Sequence, residues 1–175
     1  MKKNLIVVAF TAVASLAAAN AMASGAGQVN FTGSITDDTC TISNSVASPL
    51  AVPLGTYGSN EFTAAGQATT KKSFEIVLTG CPAAATQAAV NFDGTSDSSD
   101  ATLIKLTAGA GVAQGVAVQL YDDEGTEIAL HTASKVYPLV TGTNNLTFNA
   151  AYKSTAYPVI SGSANAVANF SVVYN

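Results

Sequence analysis

Apolar and polar residues alternate in short runs along most of this chain, the period of a pleated strand with one buried face. Residues 72–79 put Phe74, Ile76 and Leu78 on one side and end at Gly80, Cys81 and Pro82. Residues 115–121 put Val116, Val118 and Leu120 together and run into the turn Asp122-Asp123-Glu124-Gly125. Residues 126–130 then return as a hairpin partner. Residues 145–153 carry Leu146, Phe148, Ala150 and Tyr152 on one face. Shorter runs at 39–46, 88–93 and 102–107 also read as strands. Leu50, Val52 and Leu54 alternate as well, although Pro53 marks that piece as an edge or irregular strand. Residues 93–100 form a polar loop, and no amphipathic helix of three turns or internal repeat is present after the first 23 residues. Short strands with turn signals every ~8–12 residues predict an all-β sandwich of the immunoglobulin type.

The clearest alternation lies at the two ends. From 25 to 35, the odd positions are Gly25, Gly27, Val29, Phe31, Gly33 and Ile35, and the even positions after Ala26 are polar. Such a segment is a strand with one face to bury, either the first strand of its own sheet or one supplied to another molecule. At the other end, Ala164, Ala166, Ala168, Phe170, Val172 and Tyr174 form an unbroken apolar parity, and Gly162 precedes them. A long apolar strand at a chain terminus has no following segment to pair with, and an open apolar edge invites aggregation. Either the N-terminal segment folds back on it or a partner adds a strand.

Residues 1–23 read as a cleaved export signal. Lys2 and Lys3 precede an apolar stretch from Leu5 to Ala19, and Ala21-Met22-Ala23 supplies the small-x-small cleavage site. The apolar stretch is too short for a membrane span of about 20 residues. Cleavage leaves 152 residues, enough for one domain with a real core. These hold five lysines, no arginine and eleven acids, a formal net charge of −6. Nucleic-acid binding, which needs cations to displace counterions from phosphates, is excluded. Only 10% of the chain is charged, against about 25% in an ordinary soluble domain, as expected if much of its surface meets neighbours.

Cys40 and Cys81 are the two cysteines of an exported chain and read as one structural disulfide. A metal or thiol-catalytic pair lacks CxxC spacing, and His131 alone cannot complete a zinc site. His131 reads as a surface residue at the end of a hairpin strand. The acids of 93–100 and of Asp122-Asp123-Glu124 lack calcium-loop spacing and read as solvated. Asn30, Asn145 and Asn169 begin N-x-Ser/Thr sequons, which matter only in a glycosylating pathway and otherwise read as polar strand residues. No nucleophile elbow, paired carboxylates or phosphate loop appears, so no catalytic residue, metal or cofactor is assigned.

Several motifs in order resemble the pilins of chaperone–usher fimbriae, in particular the major subunits of type 1-like fimbriae. They are Gly-x-Val-x-Phe-x-Gly-x-Ile over 27–35 with Cys40 beyond, Cys81 further on, the run 116–122 before Gly125, and the run 145–152. At the end stand the penultimate Tyr174 and Gly162, fourteenth from the C-terminus. The resemblance implies an incomplete immunoglobulin-like sandwich lacking its final strand. It divides the chain into a signal at 1–23, a donor-strand extension at 24–38 and a pilin domain at 39–175. Gly25, Gly27, Val29, Phe31, Gly33 and Ile35 would be the donor face. Gly162, Ala164, Ala166, Ala168, Phe170, Val172, Tyr174 and Asn175 would form the wall of the receiving groove. The implied partners are other pilin subunits, a periplasmic chaperone and an outer-membrane usher, and the implied destination is the cell-surface fimbrium. A minor tip or adaptor subunit of the same kind, or a self-contained secreted binding module, is the alternative. A two-domain adhesin is disfavoured because 152 residues leave no room for a separate lectin domain.

Overall fold

A computed structural model describes residues 28–33 and 39–174. The chain divides into two compact units, 1–35 and 36–175. The expected export signal at 1–23, the expected donor residues Gly25, Gly27 and Ile35, and Asn175 lie outside the described residues. In the first unit, residues 28–33 form no ladder, and Val29 and Phe31 are exposed.

The second unit is all-β. A single 3-10 turn, Ser59–Glu61, is the one helical element among the described residues. The described residues form eight strands in chain order: β1 Thr41–Ile42, β2 Lys72–Cys81, β3 Gln87–Gly94, β4 Val116–Asp122, β5 Glu127–Ile128, β6 Tyr137–Pro138, β7 Gly142–Ser154 and β8 Ala168–Tyr174. They make two antiparallel sheets, ordered β1-β2-β7-β4-β5 and β6-β3-β8.

The alternation read from the sequence becomes the facing pattern of these sheets. In β2 and β7, Phe74 pairs with Phe148 and Ile76 with Leu146, so the apolar parities coincide across the ladder. In β3 and β8, Val90 pairs with Val172 and Phe92 with Phe170. Phe148 lies fully buried where the sheets meet, stacked on Phe74 at 5.8 Å and meeting the Phe92 and Tyr137 rings at 5.1 and 5.3 Å. Offset and edge-on ring pairs of this kind contribute about 0.5–1.5 kcal/mol each beyond area burial.

β4 departs from simple alternation. All seven of its residues are buried, including Ala117, Gln119 and Tyr121 on the outer face. It is an interior strand between β7 and β5. Its one buried amide is satisfied, because Gln119 donates to the carbonyls of Leu120 and Ile128 at 2.9 and 3.0 Å. The Lys71 ammonium lies 3.9 Å from the centre of the Tyr121 ring.

Other expected strands contract. Only two residues of 39–46 and two of 126–130 pair, and 102–107 forms no continuous strand. Ile104 instead bridges Ser96 and Val118, and Leu106 bridges Ala166. Leu103, Ile104 and Leu106 are buried, so their hydrophobicity reflects the core and not a ladder.

Cys40 and Cys81 are joined by a disulfide, and both are buried. The bond ties the segment before β1 to the end of β2. At the β4–β5 turn, Gly125 takes a left-handed φ of 87° and Thr126 N–H donates to the Asp122 carboxylate at 2.8 Å. Lys135 clamps the same turn through Asp123 and Glu124, at 2.8 and 3.0 Å. That hydrogen bond from the ammonium holds the Asp123 carboxyl below the usual carboxylate range and raises Lys135 in return.

Candidate assembly groove

β8 pairs with β3 along one edge, from Ala88↔Tyr174 to Gly94↔Ala168. Its other edge has no partner among the described residues. Beside that edge lies a groove of about 890 Å3, open to the surface. The C-terminal segment from Ala164 to Phe170 forms one wall and the stretch from Ile42 to Thr56 the other. Its floor is core: Phe74, Ile76, Phe92, Ile104, Val118 and Leu120.

Each wall follows from local sequence. The C-terminal wall turns its even residues inward. Ala164, Ala166, Phe170, Val172 and Tyr174 pack against the core, whereas Ala168 is exposed at the rim. Small residues line the Ala164 end and larger ones the Phe170 end. Tyr152 positions the small-residue end by donating its hydroxyl to the Ala164 carbonyl at 2.8 Å, with the Tyr57 ring edge-on to it at 6.2 Å. Burial, and secondarily Tyr57, pushes the Tyr152 phenol above its usual range.

The other wall starts as β1 and then leaves the sheet. Ser43 N–H donates to the Val77 carbonyl at 3.0 Å, and the Asn44 side chain accepts from Val77 N–H at 2.9 Å. Beyond it, residues 49–56 make no backbone hydrogen bond among the described residues. Pro49 and Pro53 explain part of this, since neither has a donor. The groove therefore runs between the free edge of β8 and an unpaired stretch of backbone, over an apolar floor. Among the described residues, Tyr152 is the one titratable side chain that lines it. Such a site takes up an extended segment through backbone ladders and apolar side chains.

Of the predicted wall residues, Gly162, Val172 and Tyr174 are not part of the groove lining. Val172 and Tyr174 continue the inward face beyond its lining. The Tyr174 hydroxyl is buried with no hydrogen-bond partner among the described residues, and desolvation pushes its phenol upward. Gly162 lies against the backbone of 111–113, where Ser163 N–H donates to the Gly111 carbonyl at 2.8 Å and Ala113 N–H to the Ser163 carbonyl at 2.9 Å. A Cβ at 162 would collide with those backbone atoms. Glycine is thus required there by close approach. Sequence reasoning missed the 42–56 wall as part of the site. Its signal was the alternation of Leu50, Val52 and Leu54 interrupted by proline.

A two-sheet immunoglobulin-like sandwich with one open edge and an apolar groove beside it defines a class of protein that is completed by a strand from outside. The fimbrial protein family model matches residues 29–175. The chain is 34% identical over 175 residues to long polar fimbria protein A of Salmonella typhimurium, covering 99% of this chain and 97% of that one. Among solved structures, a Burkholderia pseudomallei antigen and type I fimbria protein aligns with a TM-score of 0.61 and 41% identity, over 85% of this chain and 97% of that one. The P pilus rod subunit PapA shares the fold, with a TM-score of 0.64 at 21% identity, over 78% of this chain and 99% of that one. The chain belongs to the fimbrial protein family, and it is a structural subunit of an extracellular fimbrium.

Proposed function

We propose that this subunit polymerises by strand donation, with Gly25, Gly27, Val29, Phe31, Gly33 and Ile35 of one copy filling the groove of the next. The groove beside the open β8 edge is the observation that carries this reading. Burying Val29, Phe31 and Ile35 there contributes roughly 1.5–3 kcal/mol each, and the backbone ladders add to it. Because donor and acceptor are different surfaces of one chain, the contact is heterologous and does not close, which builds a filament.

Before assembly the same groove needs cover. A periplasmic chaperone lends a strand along Ala164 to Tyr174, its basic residues hold the terminal carboxylate of Asn175, and an outer-membrane usher exchanges that strand for the next subunit's extension. In this scheme residues 24–38 are the donor extension, 39–175 the acceptor domain, and 1–23 the signal removed on export. The chain serves as a shaft subunit, a role supported by its near full-length similarity, at 36% identity, to a probable major fimbrial subunit of Escherichia coli O157:H7. A single copy per fibre, counted in isolated fimbriae, would assign it to the tip instead.

Donation is tested by V29D/F31D. The doubly charged donor face is expected to yield no SDS-resistant ladder of subunits, while the variant still accepts wild-type donor peptide. An undiminished ladder would refute strand donation.

A further inference from the structure

Outside the lining of the groove, three side chains form a relay that strand donation does not use. The Asp93 carboxylate lies 3.0 Å from His131 Nδ1, and His131 Nε2 lies 3.1 Å from Ser96 Oγ. The carboxylate sets the tautomer: Nδ1–H donates to Asp93, which leaves Nε2 to accept the Ser96 hydroxyl proton. Asp93 is itself held by Gly94 N–H at 2.7 Å. Carboxylate, imidazole and hydroxyl in this order are the arrangement by which imidazole activates a serine, and it is recognised by geometry, not by sequence position.

Two further observations bear on the same spot. Among the described residues, His131 is the one non-glycine with positive φ, at 63°, and its N–H is fixed on the Phe92 carbonyl at 2.9 Å. A left-handed backbone outside glycine is uncommon and concentrates at functional sites. The Ser96 N–H is also free. Thr95 and Asp97 bond toward 103–105, through Lys105 N–H to the Thr95 carbonyl and Asp97 N–H to the Leu103 carbonyl. Strand alternation turns the Ser96 N–H the opposite way, and it has no partner among the described residues. It is a donor for charge developing on a carbonyl oxygen at Ser96. The side chains of His131 and Asp93 are 50% and 73% exposed, so a small substrate reaches them from solvent.

We infer that Ser96 is an acyl acceptor, and that Ser96 and His131, positioned by Asp93, hydrolyse small activated carboxylic esters. Ser96 Oγ bonds to the ester carbonyl carbon and its proton passes to His131 Nε2. The carbon–oxygen bond to the leaving alcohol breaks, and the alcohol takes that proton. Water, giving its proton to His131, then attacks the acyl-serine. The acid departs and Ser96 recovers its hydroxyl.

The full mature chain is incubated with p-nitrophenyl acetate, and acid-quenched samples are mapped by peptide mass. The expected result is acetyl on Ser96 and more than one p-nitrophenol released per chain. S96A abolishes the acetylation at this site, and H131N, which tolerates positive φ, slows release about 100-fold. D93N lowers kcat with KM unchanged, which a merely structural carboxylate would not do. Thermal melts identify any variant that has lost its fold, and a fluorophosphonate ester provides a second label for Ser96 in the wild-type chain. Release by wild type no faster than by S96A, or acetyl and phosphonyl groups found only elsewhere, overturns the inference.

Discussion

The two sheets of the sandwich end differently. In the five-stranded sheet, the long ladders β2–β7 and β7–β4 lie inside, and the outermost strands β1 and β5 have two residues each. In the three-stranded sheet, β6 is a similarly short edge, but β8 offers seven residues with a free side beside an open groove. Folded proteins keep edges short because an exposed ladder recruits other strands. This chain follows that rule at three edges and breaks it at the fourth. The exception lies beside the groove proposed to take up the next subunit's strand, and on that reading the incompleteness of the smaller sheet is what makes the subunit a building block.

The largest effect expected from breaking this contrast comes where both sheets depend on one side chain. F148A should cost about 3–5 kcal/mol in a urea melt, because the ring is fully buried and touches both layers. Next, C40S/C81S should cost roughly 4 kcal/mol on the chain-entropy estimate, for a sequence separation of 41 residues. Its readout is the urea midpoint of the subunit without added peptide. F170A acts on the smaller sheet alone. It should cost the isolated subunit about 1–2 kcal/mol, since the ring is half-buried, and weaken donor-peptide binding at least tenfold by fluorescence titration. Equal loss of stability with unchanged peptide affinity would place Phe170 outside the site.

The smallest effect separates the clamp on the β4–β5 turn from both sheets. Asp123 has its carboxyl held low by the Lys135 hydrogen bond, so its contribution is present above the unfolded carboxylate range. It is lost as pH falls through the lower folded value. K135A should therefore be slightly less stable than wild type at neutral pH, and the difference should vanish in acid melts.

The core-facing parities were legible because period two survives in any sheet that buries one face. Phe74, Ile76, Leu146 and Phe148 all sit as alternation places them. The outer face of β4 was not legible, since burial of Ala117, Gln119 and Tyr121 comes from tertiary cover that leaves no periodic trace. For the same reason 102–107 read as a strand, where Leu103, Ile104 and Leu106 fill the core with only isolated bridges. β6 was invisible: Tyr137–Pro138 is too short for any alternation. Of the site, the C-terminal wall from Ala164 to Phe170 was readable. The opposite wall carries proline and makes no ladder, so its place beside the groove depended on the fold. His131 read correctly as a surface residue, but nothing local placed Asp93 and Ser96 on its two ring nitrogens.

Strand uptake by the groove is tested most directly by a thermal melt. The measured species is the subunit lacking residues 24–36, alone and with a synthetic peptide of that sequence. Ligand that binds only the folded state stabilises by mass action, about 2.7 kcal/mol at 100 times Kd. A marked, concentration-dependent rise in Tm, lost when Phe31 of the peptide is replaced by Asp, is the expected result. An unchanged Tm at saturating peptide would contradict strand donation into the β8 groove.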